Sequence, residues 1–243
     1  MAPLARQTVA VVVTGEPIPA ARERFGGFAR MIERAAGQPA LELREVDARL
    51  GDVPALTGFS GVLVTGSPAS VLDREPWMRA AGERLRAAVE DGVPVLGVCF
   101  GHQLLADALG GVVERNPKGR EIGTVALELL ADDPLLDPEH RPFTVNMTHV
   151  DTVLEPPPGA RVVARTALDP SAVVRFAEDA WGVQFHPELD SEVMALYVEG
   201  RSEQIAREGL DVAAIRAAIR DTVAGRDVLR RFLDRVATRA FGG

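Results

Sequence analysis

The chain has 243 residues, 27 basic against 35 acidic side chains for a formal net charge of −8, 47% hydrophobic residues and one cysteine. Such a length buries a full core as one α/β domain, with or without appendages. The acidic balance disfavours non-specific attachment to nucleic acid or an anionic membrane, and the single cysteine excludes an intrachain disulfide, leaving a small molecule or another protein as the expected partner class.

A free thiol fits a reducing, cytoplasmic setting. Met1–Gln7 is short and the apolar run after it, Thr8 to Val13, is brief, so it reads as a first strand rather than a signal peptide. No run reaches membrane-spanning length. Helical spacing of Phe25, Phe28, Ala29 and Ile32 predicts one helix over Arg22–Ala36, ended by Gly37. Strands follow at Leu41–Val46, Gly61–Thr65 and Val93–Val98, with a helix over Glu75–Glu90 and another over His102–Leu109 that Gly110-Gly111 stops. This alternation implies a parallel sheet with helices on both faces. Further on, Thr124–Leu129, Phe143–Met147, Arg161–Arg165, Ala172–Phe176 and Trp181–Phe185 are short strands with no helix between them, which predicts an antiparallel extension. From Asp190 the chain is helical in composition. The apolar pattern of Ile205, Leu210, Ile215, Val228, Leu229, Phe232 and Val236 can pack on the sheet, cover a pocket mouth or form a homodimer seam.

Two segments carry chemistry. In Gly97-Val98-Cys99-Phe100-Gly101-His102-Gln103 an apolar strand turns into a helix. A glycine on either side permits a strained turn that holds Cys99 clear of the sheet, at the positive end of the next helix. In Trp181-Gly182-Val183-Gln184-Phe185-His186-Pro187-Glu188 a histidine and a carboxylate follow another strand. Residues i and i+2 of an extended stretch point the same way, so Glu188 can fix the tautomer of His186, whose imidazolium would stabilise a Cys99 thiolate. A metal site built from Cys99, His102, His149 and His186 is the competing reading; no close pair among them has structural-zinc spacing, so no metal is expected.

Gly97-x-Cys99-x-Gly101-x-Gln103 together with Phe185-His186-Pro187-Glu188 resembles the class I (triad) glutamine amidotransferase family, over roughly Thr8 to Tyr197. Thr65-Gly66-Ser67-Pro68 resembles the family's turn after the third strand. Asn116–Gly123 and Thr148-His149-Val150-Asp151 resemble stand-alone members of the GMP-synthase-like type. The resemblance implies a flavodoxin-like α/β fold: residues 1–200 form the amidotransferase domain and 201–243 a C-terminal helical extension packed on it. It implies Cys99 as nucleophile, His186 as general base and acid and Glu188 as its orienter. The backbone N–H groups of Ser67 and Phe100 would form the oxyanion hole, although Ser67 stands where the family has glycine. Gln103 would hold the amino-acid end of the substrate, with the backbone of Val150 and Asp151 lining the same pocket; His102 and His149 are read as structural hydrogen-bonders.

The implied reaction is hydrolysis of glutamine or another γ-glutamyl compound through a γ-glutamyl thioester, with no metal or organic cofactor. A related group with the same fold and elbow carries histidine immediately after the cysteine; here that residue is Phe100. There is no Walker-type loop, and the stretch after Tyr197 is too short for an ATP-pyrophosphatase domain, so ammonia would pass to a synthase subunit in trans, or the chain would act as a glutaminase without one. The alternatives are a γ-glutamyl peptidase acting without a partner and a non-catalytic regulatory subunit that binds a γ-glutamyl ligand.

Overall fold

A computed structural model describes residues 8–37 and 39–241. The reading of Met1–Gln7 lies outside the described residues. The β-branched run forms β1 (Thr8–Val13). The single helix predicted next is two, α1 (Pro19–Phe25) and α2 (Phe28–Ala36). Gly26, at φ +83°, ends the first, and Gly27 precedes the second. Apolar spacing carries across this glycine pair, but the backbone does not.

β2 (Glu42–Asp47), β3 (Gly61–Val64), α3 (Pro76–Glu90) and β4 (Val95–Val98) follow the expected alternation. α4 (Phe100–Ala108) starts two residues earlier than expected, which makes Cys99 its N-cap. Its end is closed at Gly110, at φ +94°, and by the Gly111 N–H to the Ala106 carbonyl at 2.8 Å. β5 (Val112–Arg115) is a strand that short-range pattern did not disclose. The strand expected over Thr124–Leu129 is divided into β6 (Glu121–Ala126) and β7 (Glu128–Leu129), which pair with different partners. β8 (Thr144–His149), β9 (Asp151–Glu155), β10 (Arg161–Arg165), β11 (Val173–Ala177) and β12 (Ala180–Val183) complete the strands. The chain then runs through α5 (Ser191–Gly200), α6 (Ser202–Arg207), α7 (Val212–Ala218) and α8 (Val223–Phe241).

The main sheet has the order β2-β1-β3-β4-β12-β11-β10-β7. Its first five strands are parallel, and β12, β11, β10 and β7 continue it antiparallel. Counting β12 as the fifth parallel strand, the order 2-1-3-4-5 is that of flavodoxin-like doubly wound sheets, whose ligands sit at the carboxyl ends of the strands. Two ribbons, β5–β9 and β6–β8, stand apart from it.

Alternation along β1 separates two cores. Val9, Val11 and Val13 join Ile32 and the α8 side chains Val228, Leu229, Phe232, Leu233 and Val236 on one face. Ala10 and Val12 join Met78 and Leu85 of α3 and Leu104 and Leu105 of α4 on the other. The last helix is therefore core, with Phe232 edge-on to Trp181 at 6.5 Å. A third cluster joins Ala21, Phe28 and Met31 to Val193, Met194 and Tyr197 beside the strand ends. Among the described residues no helix is long and apolar enough to cross a membrane.

Candidate active site

Cys99 occupies the turn between β4 and α4 with φ +51° and ψ −104°, a left-handed conformation that non-glycine residues rarely adopt. Its neighbours make that turn possible. A Cβ on Gly97 would lie 2.5 Å from the Gly101 carbonyl oxygen, and one on Gly101 would lie 2.6 Å from the Val64 carbonyl oxygen. The Cys99 N–H is anchored to the Val183 carbonyl at 2.8 Å, so β4 and its neighbour β12 end side by side. Three residues past the end of β12 comes His186, its N–H held by the Asn146 carbonyl at 2.9 Å. The turn after β3 closes against both groups: a Cβ on Gly66 would lie 2.8 Å from His186 Cε1 and 3.8 Å from Cys99 Cβ.

His186 Nδ1 donates to Glu188 Oε1 at 2.7 Å, and its ring stacks near Phe28 with centroids 6.3 Å apart. His186 Nε2 and Glu188 Oε2 are buried with no hydrogen-bond partner among the described residues. Burial alone would push the Cys99 thiol up; the His186 charge, helped by His149 and opposed by Glu188, reverses this and holds the thiol below its ordinary 9.0. Burial likewise disfavours charge on His186, but Glu188 and Cys99 outweigh it and hold the imidazole well above its ordinary value. The pair therefore tends toward thiolate and imidazolium, the reactive form of a cysteine nucleophile.

Two cavities open beside Cys99. The polar one, about 210 Å³, is bordered by Ser67, Phe100, Gln103, Val150 and Asp151, all singled out in the sequence. Phe100 is the first residue of α4, where backbone N–H groups lack an intrahelical partner. The Ser67 hydroxyl is occupied elsewhere, donating to the Thr14 carbonyl at 2.8 Å and accepting from the Ala69 N–H at 3.1 Å. Gln103 Nε2 donates to the Asp151 carbonyl at 2.8 Å and to Gln184 Oε1 at 3.0 Å. The Asp151 carbonyl is thus taken up in locking Gln103, and the Asp151 carboxylate accepts from Ser70 Oγ at 2.6 Å. The second cavity, about 430 Å³, lies on the His186 side and is mostly apolar.

His149 and His102 diverge. His149 is a buried hydrogen-bonder, Nδ1 2.9 Å from the Asp151 carbonyl and Nε2 3.1 Å from Glu121 Oε2. Both partners are acceptors, so only the doubly protonated ring satisfies both. Burial opposes that charge, but Glu121, Asp169 and Cys99 raise the His149 pKa overall. Neither ring nitrogen of His102 meets a well-formed hydrogen-bond partner among the described residues; the Ser171 backbone lends polar support to its charge. His102 is sealed against Phe176, ring centroids 5.7 Å apart, and burial together with the His149 charge pushes its pKa down to about 3. The four residues of the competing metal reading do not bring their ligand atoms together; among the described residues only Asp137, His140 and Asp227 do so.

The profile of the class I glutamine amidotransferase family matches residues 25–198. The chain belongs to that family. Among curated amidotransferase relatives, it is 37% identical over 190 residues to a glutamine-hydrolysing GMP synthase of Aeropyrum pernix, covering 77% of this chain and 34% of the relative. It is 36% identical over 183 residues to that of Pyrobaculum aerophilum, covering 75% and 32%. The chain thus spans about a third of the length of these relatives. Among solved structures it is similar to a glutamine amidotransferase from Thermotoga maritima, with TM-score 0.73, 21% identity and coverage of 96% and 99%. It is also similar to one from Methylobacillus flagellatus, with TM-score 0.68, 22% identity and coverage of 98% and 94%. At these identities the likeness is one of fold, the flavodoxin-like α/β fold read above.

One residue of this amidotransferase chain bordering both cavities went unread in the sequence. Arg201, just past α5, donates to Thr148 Oγ1 and lies 5.0 Å from the Tyr197 ring centroid. No carboxylate pairs with it among the described residues, and burial followed by the Arg120 charge lowers its pKa. The available signal was the Tyr-x-x-x-Arg spacing, which stacks the two side chains one helical turn apart.

Proposed function

We propose that the chain hydrolyses a γ-glutamyl amide, glutamine in the first instance, through Cys99, His186 and Glu188. The observation that carries this reading is the junction of β4 and β12: a strained cysteine at a helix N-terminus beside an imidazole whose far nitrogen is bonded to a buried carboxylate. The Cys99 thiolate adds to the side-chain carbonyl carbon, and negative charge moves to the carbonyl oxygen. Backbone N–H groups of Ser67 and Phe100 take up that charge. His186 gives its proton to the amide nitrogen, the C–N bond breaks, and ammonia leaves a γ-glutamyl thioester. Water, deprotonated by the same imidazole, attacks the thioester; glutamate leaves and the thiol is restored. Glu188 keeps Nε2 directed at the reacting atoms throughout.

The polar cavity takes the γ-glutamyl chain. Gln103, held by Asp151 and Gln184, orients its amino-acid end; Val150 and Asp151 form the wall, and the Arg201 guanidinium, with no carboxylate partner among the described residues, suits its carboxylate. Residues 1–200 would then carry the amidotransferase unit, with 201–243 contributing Arg201 and the cover of one sheet face. As the matched relatives are glutamine-hydrolysing GMP synthases, ammonia would serve a synthase partner. The test is glutamate release from glutamine by the purified protein and by Cys99→Ala. We expect turnover by the first and none by the second. Equal release by both would remove Cys99 from the mechanism, and glutamine binding without turnover would make the chain a binding subunit.

A further inference from the structure

The two N–H groups assigned to the oxyanion are supported unequally. Phe100 opens α4, so its N–H is fixed by a helix. Ser67 lies in the turn after β3, outside any helix or strand, and its N–H keeps its place only as firmly as that turn is tied down. Two hydroxyl groups tie it. Ser67 Oγ donates to the Thr14 carbonyl, just past β1, at 2.8 Å. Ser70 Oγ donates to Asp151 Oδ2 at 2.6 Å. The remaining hydrogen bonds of residues 68–73 are local: the Ala69 N–H to Ser67 Oγ, the Leu72 N–H to Ser70 Oγ and the Ser70 N–H to the Asp73 carboxylate. Among the described residues, the bond to Asp151 is therefore the one that fixes this stretch to a distant element.

Asp151 is built to be an anchor. It is buried at the start of β9, opposite Arg115 of β5. Its carbonyl is engaged at the other end of the pocket, accepting from Gln103 Nε2 at 2.8 Å, with His149 Nδ1 2.9 Å away. The Ser70 hydroxyl is the one hydrogen-bond partner of its carboxylate among the described residues. Resting on the reading of the site given above, we propose that Asp151 is a positioning residue: its carboxylate, through Ser70, holds the turn that presents the Ser67 N–H, while its carbonyl holds Gln103. One residue thereby sets the spacing between the donor at the reacting carbonyl and the group at the amino-acid end. An oxyanion donor acts only at hydrogen-bond distance from charge that develops in the transition state. Loosening the turn therefore costs turnover rather than substrate binding.

The test measures kcat and KM for glutamine in wild type and in variants of the tie. Asp151→Ala deletes the bond but leaves the carbonyl on Gln103. Its kcat should fall roughly 10- to 100-fold, short of the loss of a whole donor, with KM unchanged. Asp151→Asn keeps an acceptor oxygen without the charge and should retain most of the wild-type kcat. Ser70→Ala breaks the same bond from the other side, so the double variant Ser70→Ala/Asp151→Ala should be no slower than the slower single one. Where Asp151→Ala does not fold, Ser70→Ala against Ser70→Thr, which keeps the hydroxyl, makes the same comparison. A raised KM with kcat intact in Asp151→Ala would make the carboxylate a substrate ligand and overturn the inference. Asp151→Asn as slow as Asp151→Ala would assign the effect to charge, and multiplied losses in the double variant would assign it to two separate causes; either overturns the inference and leaves the proposed function standing. No glutamine turnover by wild type would overturn the proposed function, and this inference with it.

Discussion

The chain up to α4 and the chain beyond it build the site by different means. Up to α4 the chain contributes backbone shape: a left-handed Cys99, and Gly66, Gly97 and Gly101 at positions where a Cβ would strike neighbouring atoms. Beyond α4 it contributes charge: His186 on Glu188, His149 between Asp151 and Glu121, and Arg201 held by Thr148 and the Tyr197 ring. Geometry fails steeply when disturbed, because close-packed backbone has nowhere to move. Electrostatic support fails by degrees and its loss is read in pH profiles, except at Glu188, whose bond also fixes the tautomer of the acid–base group.

Three substitutions press on this contrast. The largest effect is expected at Glu188→Gln, which keeps the side chain's shape but no longer enforces the Nδ1–H tautomer of His186. Loss of kcat on the order of 10³–10⁴ is expected by analogy with triad enzymes; a loss below tenfold would show that another group orients the ring. Next comes Gly66→Ala, whose methyl would sit 2.8 Å from His186 Cε1. Displacing the imidazole should lower kcat/KM roughly 10- to 100-fold with the circular dichroism spectrum unchanged. Full activity would mean that the turn after β3 yields without moving the ring.

The smallest effect, and the one that isolates charge, belongs to His149→Gln. The His149 charge lowers the Cys99 pKa, so removing it raises that pKa and moves the acidic limb of kcat/KM to higher pH. Each unit of displacement lowers activity about tenfold at pH values below the limb and leaves the plateau above it unchanged. A limb that stays in place while KM rises would assign His149 to holding the Asp151 wall.

The parts of the fold that were legible from sequence are those written in local pattern. The β-branched run of β1, the glycine-framed elbow and the His-Pro-Glu segment each state their geometry within a few residues. Where the sequence reading went astray, the determining contact was distant or the spacing misleading. Phe25 and Phe28 fit one helical face, yet Gly26 at positive φ divides them. β5 and β9 exist through one another, Val113 opposite Val153, and neither has a periodicity of its own long enough to notice. At the site, the convergence of Cys99 and His186 was readable because both motifs end apolar strands. Arg201 was not, because its role depends on Thr148 and Tyr197 meeting it at the cavity rim. His102 shows the converse: placed in the elbow motif, it packs behind Gly182 against Phe176, with the Ser171 backbone as its polar neighbour.

The place of α8 bears on how the chain is made. A Cβ on Gly61 would lie 2.8 Å from Val236, so the helix lies flush against β3 and covers the face shared by Val9, Val11 and Val13. On the ribosome the elbow segment emerges before α8, which lies more than a hundred residues downstream. The apolar face behind it has only α2 over it until α8 has been synthesised. Through that interval the nascent sheet carries a partly open valine surface, which is the kind of exposure that chaperones bind and that promotes aggregation. The cysteine side of the site is encoded first, but the sheet that holds it can close only when α8 arrives.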